Sequence, residues 1–90
     1  MLFEVNLPSL SPTMEEGKIV KWVKKKDEHV LSGEVLFEVE TDKATMEYES
    51  PEDGYIAEIF IDEGSTAKVN QLVALISDNK DYSSNDIDDF

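Results

Sequence analysis

The chain has 90 residues, with 21 acidic and eight basic side chains and a formal net charge of −13. A chain of this length forms one small domain at most and buries only about 60–65% of its unfolded surface, so a spacious enzyme pocket is not expected. Its negative charge disfavours nucleic acid and anionic membranes as partners. Because the chain has no cysteine, it offers no thiolate nucleophile and no cysteine metal site, and any sulfur redox chemistry would need a cofactor. We predict no metal site.

Six short segments are predicted as strands, because they are rich in Val, Ile, Thr and aromatic residues and are separated by turn-forming residues. They are residues 3–7, 18–23, 35–40, 45–49, 55–61 and 72–76. In residues 37–40 (FEVE) and 46–49 (MEYE), apolar and acidic residues alternate, so each of these strands should have one buried and one solvated face. No segment has a sustained helical period. The N-terminus lacks the basic leader of a signal peptide, and no apolar run reaches the roughly 20 residues of a membrane span.

An internal repeat appears when the sequence is shifted by 37 residues. Residues 17–39 then lie over residues 54–76 without a gap, and Gly17 falls on Gly54. Asp27 falls on Gly64, and Asp is one of the few residues that tolerate the left-handed conformation of glycine. Two copies are too few for a solenoid. The repeat predicts one all-β domain, a flattened barrel or sandwich of short antiparallel strands with two similar halves.

The last part of the chain has a different composition. Residues 78–90 are polar and acidic and contain little that a core could bury. Such a segment cannot offset the entropy lost on ordering. We therefore predict a folded domain over residues 1–77 and a flexible acidic linker over residues 78–90.

The segment ETDKAT, residues 40–45, contains an isolated lysine. Lys43 is the one lysine between residues 27 and 67, in a strongly acidic part of the chain. Since Glu40 ends one predicted strand and Thr45 begins the next, residues 41–44 should form a tight hairpin turn with Lys43 at its apex. Asp42 is expected to support the turn by bonding its own backbone.

A lysine in an exposed turn is most often plain surface, where it adds solubility or protects a strand edge. A Schiff-base or general-base lysine needs burial or a cationic neighbour, whereas Glu40 and Asp42 surround Lys43 with negative charge. An exposed apex lysine is suited to modification by another enzyme. His29, the one histidine, is expected in an exposed loop without a functional role.

ETDKAT resembles the lipoyl-attachment motif of lipoyl domains, which belong to the acyltransferase components of 2-oxo acid dehydrogenase complexes. The resemblance covers residues 3 to about 76. Residues 7–22 (LPSLSPTMEEGKIVKW) and 33–59 are most similar to the acetyltransferase of pyruvate dehydrogenase. Asp27 stands where that family usually has glycine.

The resemblance implies a fold of two four-stranded antiparallel sheets related by a quasi-twofold axis. It implies that Lys43 carries lipoate in amide linkage, with Glu40, Thr41, Asp42 and Ala44 as the turn and recognition flank. The domain would be a non-catalytic carrier, a swinging arm within a dihydrolipoyllysine-residue acetyltransferase. It would be a monomer when isolated and would lie in a mitochondrial matrix or a bacterial cytoplasm.

The resemblance also implies partners. A thiamine-diphosphate-dependent 2-oxo acid dehydrogenase acylates the arm in similar domains, the acyltransferase core passes the acyl group to coenzyme A, and dihydrolipoyl dehydrogenase reoxidises the dithiol. A lipoate ligase or lipoyl transferase attaches lipoate. The alternatives are a biotin carrier, which has the same fold but typically has methionines beside its lysine, the longer glycine-cleavage carrier, and a protein-binding β-sandwich without a prosthetic group.

Overall fold

The computed structural model describes residues 2–79, and in this range the chain forms eight strands. The strands are β1 (Leu2–Asn6), β2 (Glu16–Trp22), β3 (His29–Val30), β4 (Val35–Glu40), β5 (Thr45–Glu49), β6 (Gly54–Ile59), β7 (Thr66–Lys68) and β8 (Leu72–Ser77). Within residues 2–79, no helix is long and apolar enough to cross a membrane.

The strands form two four-stranded sheets in which every neighbouring pair is antiparallel. One sheet has the order β1-β8-β6-β3 and the other has the order β5-β4-β2-β7. The predicted fold class is confirmed, and the six predicted strands occur with ends displaced by at most two residues. Sequence reasoning missed β3 and β7, which are too short to show alternation. The prediction of a loop at His29 was wrong, because His29 lies in β3 with its ring centroid 4.9 Å from that of Tyr55.

The two sheets repeat each other pair by pair. An offset of 37 residues carries β2, β3 and β4 onto β6, β7 and β8, and β5 then takes the place of β1. Ile19 faces Val39 in one sheet as Ile56 faces Ile76 in the other, and the register shifts immediately after both Ile19 and Ile56. The sequence repeat is therefore a repeat of hydrogen-bond register.

The backbone turns obey the same repeat. Positive φ angles occur at Asp27 (74°), Gly64 (88°), Gly33 (91°) and Asn70 (72°), which form two pairs 37 residues apart. The left-handed conformation is common only for Gly, Asn and Asp. Asp27 thus has the same backbone conformation as Gly64, and both residues donate a backbone N–H to a central strand. Asp27 donates to the Ile56 carbonyl at 2.8 Å, and Gly64 donates to the Ile19 carbonyl at 2.6 Å.

The core lies between the two sheets. An aromatic row crosses one of them, since the ring centroids of Trp22 and Phe37, and those of Phe37 and Tyr48, are 4.9 Å apart. Burial raises the pKa of the Tyr48 phenol above its ordinary value. The residues of the core cluster are Val5, Leu7, Met14, Ile19, Trp22, Val30, Leu36, Phe37, Val39, Ile56, Ala67, Val73, Ala74 and Ile76.

One predicted face is buried less than expected. In β4, Phe37 and Val39 are fully buried as predicted, but in β5 Met46 is 37% exposed and Tyr48 is half-buried. The reason is that β5 is an edge strand, so its apolar face has a neighbouring strand on one side only.

The paired glycines of the two halves provide a stability test. A Cβ atom on Gly54 would collide with the backbone carbonyl of Ser77, whereas one on Gly17 would lie 2.6 Å from the Val39 Cγ2 atom and 2.9 Å from the Met14 Cε atom. Side chains rotate away more easily than a strand carbonyl moves. We therefore expect Gly54→Ala to lower the free energy of unfolding by about 3 kcal/mol and Gly17→Ala by about 1 kcal/mol. Chemical denaturation measures both, and equal losses would contradict this difference.

Candidate functional site

Lys43 lies in the hairpin turn between β4 and β5, where sequence reasoning predicted it. Glu40 and Thr45 form the last pair of the two strands, and four residues, 41–44, reverse the chain. Lys43 is exposed, and within residues 2–79 its side chain forms no hydrogen bond or ion pair. Its amino group is therefore available to another protein.

The hydroxyl of Thr41 closes the turn from inside. It accepts hydrogen bonds from the backbone N–H groups of Lys43 and Ala44, both at 3.1 Å, and donates one to the Ala44 carbonyl at 2.9 Å. The backbone N–H of Thr41 donates to the same carbonyl at 2.9 Å. Sequence reasoning assigned Thr41 only to the flank, although threonine hydroxyls are known to form such turns.

The prediction that Asp42 supports its own turn was wrong. Its carboxylate accepts hydrogen bonds from two hydroxyl groups of the loop between β1 and β2, from Thr13 at 2.9 Å and from Ser11 at 3.4 Å. Asp42 therefore ties the hairpin to that loop. These partners lie 29 and 31 residues away in sequence, which no local pattern could indicate.

The loop between β1 and β2 is itself held by Met14. The Met14 side chain is buried, its Sδ atom accepts a hydrogen bond from the Leu10 N–H at 3.2 Å, and its own N–H donates to the Ser11 carbonyl at 3.2 Å. The loop that contacts Asp42 is thus anchored to the core. Sequence reasoning did not single out Met14.

An open groove of about 400 Å³ lies beside the hairpin. Residues 13–18 and 40–42 and Thr66 line it, and the lining includes four carboxylate side chains and one amino group, that of Lys18. Among residues 2–79, no three His, Cys, Asp or Glu side chains are placed to hold a metal ion. The surroundings of Lys43 are therefore strongly acidic.

Within residues 2–79, the fold contains this hairpin once. At the base of the hairpin, one residue from each of the four strands forms a row of paired residues across the sheet. The internal repeat relates this row to a row in the other sheet, where β1 begins and β8 ends. The first row is Thr45, Glu40, Lys18 and Thr66, and the second is Leu2, Ser77, Tyr55 and His29. The quasi-twofold counterpart of the lysine turn is therefore the start of β1 beside the end of β8.

Residues 3–76 match the Biotin_lipoyl family, which is described as "Biotin-requiring enzyme". The solution structure of the lipoyl domain of the 2-oxoglutarate dehydrogenase complex from Azotobacter vinelandii is similar to this chain with a TM-score of 0.69 and 32% identity, over 82% of this chain and 94% of that one. The chain therefore belongs to the Biotin_lipoyl family, and the resemblance to lipoyl domains is confirmed. The crystal structure of Kluyveromyces lactis urea carboxylase shares the fold, with a TM-score of 0.72 and 21% identity over 86% of this chain and 6% of that one.

Two curated relatives are components of the same kind of complex. This chain is 51% identical, over 84% of its length, to the mitochondrial dihydrolipoyllysine-residue acetyltransferase component of the pyruvate dehydrogenase complex from Caenorhabditis elegans. It is 45% identical, over its full length, to the corresponding component from Rickettsia prowazekii. This chain spans 15% and 22% of those two proteins. The relatives thus include both mitochondrial and bacterial components of the complex.

Proposed function

We propose that this domain is a lipoyl carrier in which the Nζ atom of Lys43 holds lipoate through an amide bond. The observation that supports it most is the position of Lys43, exposed at the apex of a closed hairpin and without a partner among residues 2–79. The similarity to an A. vinelandii lipoyl domain supports the choice of lipoate.

Amide formation removes the positive charge of Lys43, and lipoate supplies a disulfide-containing ring at the end of a flexible arm. The residues of the chain have three tasks in this scheme. The turn holds the backbone of Lys43, the acidic surroundings keep the arm's base solvated, and the two sheets give the turn a rigid base. The domain itself is a non-catalytic carrier, and it increases the local concentration of the arm at partner active sites.

We infer the assembly from the relatives. This chain would be part of a dihydrolipoyllysine-residue acetyltransferase of a pyruvate dehydrogenase complex, in a mitochondrial matrix or a bacterial cytoplasm. Its partners would be the thiamine-diphosphate-dependent dehydrogenase, the acyltransferase core, dihydrolipoyl dehydrogenase and a lipoate ligase. The predicted linker, residues 78–90, would tether the domain, and its residues 80–90 lie outside the described part of the chain.

Biotin attachment to the same lysine is the alternative within this family. Asp42 and Ala44 flank Lys43 in place of the methionines that are typical of biotin carriers. The two curated relatives reported above are acetyltransferase components, which favours lipoate. A protein-binding β-sandwich with an unmodified Lys43 is the remaining alternative.

The first test is attachment at a single position. When the folded domain is incubated with lipoate ligase, ATP and lipoate, we expect one adduct, located on Lys43 by peptide mass spectrometry. The segment Lys24–Lys26 is an internal control, because it presents amino groups outside the hairpin. A matched incubation with biotin ligase and biotin should leave the mass unchanged. An adduct at residues 18–26, a biotinyl adduct, or no adduct on a folded sample would contradict the proposal.

The second test moves the lysine by one position. In the double variant Asp42→Lys with Lys43→Asp, we expect lipoylation to fall at least about a hundredfold, because a shift by one residue points the side chain in a different direction and misaligns the reacting atoms. Rates of adduct formation by intact mass measure the change. Asp42→Ala alone should be lipoylated at a rate close to that of the unaltered domain, because its lysine stays at the apex.

Amide dispersion in NMR spectra shows whether each variant is folded. Rapid lipoylation of the shifted lysine in a folded variant would mean that the enzyme recognises exposure and not position. Asp42→Ala is expected to reduce reductive acylation by the dehydrogenase, because it removes negative charge that would complement a basic active-site entrance.

A further inference from the structure

The resemblance places Thr41 only in the flank of Lys43, yet the hydrogen-bonding capacity of its hydroxyl is fully used. A hydroxyl has one donor and two acceptor positions. Thr41 donates to the Ala44 carbonyl and accepts from the N–H groups of Lys43 and Ala44. One of these two N–H groups belongs to the lysine itself, so this hydroxyl is the side-chain group that directly holds the Lys43 backbone.

Asp42, the charged neighbour of Lys43, has a different set of contacts. Its carboxylate contacts the hydroxyl groups of Ser11 and Thr13. Neither contact includes a backbone group of residues 41–44. The internal geometry of the turn therefore depends on Thr41, and Asp42 determines where the closed turn lies relative to the neighbouring loop.

We propose that Thr41 is the positioning residue for modification of Lys43: its hydroxyl fixes the turn so that the lysine side chain leaves the hairpin in the direction that the lipoylating enzyme requires. This inference rests on the proposed lipoyl function. An amine attacking an activated lipoyl carbonyl must be aligned with it, and a turn that is already closed spares the enzyme the cost of ordering four residues.

Three variants isolate the hydroxyl. Thr41→Val has almost the same shape and keeps the β-branch but loses the hydroxyl, and Thr41→Ser keeps the hydroxyl and loses the methyl group. Thr45→Val is the matched control, because Thr45 lies at the other end of the same hairpin, is exposed, and its hydroxyl makes no hydrogen bond to residues 2–79. Each variant is first checked for fold by its amide NMR spectrum.

We expect Thr41→Val to lower kcat/KM for lipoylation by lipoate ligase about tenfold, and Thr41→Ser to restore it to within about twofold of the unaltered domain. Thr45→Val should leave it unchanged. Loss of the acceptor should also speed hydrogen exchange at the N–H groups of Lys43 and Ala44 in Thr41→Val but not in Thr41→Ser. This readout requires no enzyme.

The outcomes separate this inference from the function on which it rests. If the unaltered domain is not lipoylated, the proposed function fails. If it is lipoylated and a folded Thr41→Val variant reacts as fast, the positioning role fails while the function stands. The positioning role also fails if Thr41→Ser is as slow as Thr41→Val, or if Thr45→Val produces the same loss, because a hydroxyl-specific effect predicts neither.

Discussion

Glu40 pairs with Thr45 across β4 and β5, and this pair leaves four residues in which the chain must reverse. The strand register therefore places the turn, and the hydroxyl of Thr41 then closes it. Lys43 is exposed because both strands have already ended and nothing else in residues 2–79 covers it. The proposed attachment site follows from strand pairing, and it needs no pocket.

The quasi-twofold repeat explains why the described part of the chain, residues 2–79, contains one such turn. Seven strands in a row, β2 to β8, could place an equivalent hairpin in the other sheet only if β8 turned back into a following strand. Instead, β1 occupies that position and pairs with β8. One sheet therefore has a closed hairpin where the other sheet has the start of β1 beside the end of β8. This difference leaves one lysine turn among residues 2–79 of a scaffold that is otherwise symmetric.

The sequence predicted the sheets well because their signals are local or strictly periodic. Residue composition and turn signals located β4 and β5 to the residue, and the repeat located Asp27 at a left-handed position that Gly64 also occupies. The contacts of Asp42 could not be predicted, because Ser11 and Thr13 approach it only after β1 and β2 are packed. The role of Thr41 could have been recognised, but Asp42 was the stronger candidate on turn propensity alone.

The partial exposure of β5 could not be predicted from the sequence either, because the pattern shows which face is apolar but does not show that the strand lies at an edge.

In this account, modification happens at the hairpin, on a scaffold that does not need to change. Amide NMR spectra recorded before and after lipoylation test it most directly. We expect chemical-shift changes to be confined to residues 11–16 and 40–46, with Leu2, Tyr55 and Ser77 unaffected. Changes spread through both sheets, or centred on Lys24–Lys26, would contradict this account.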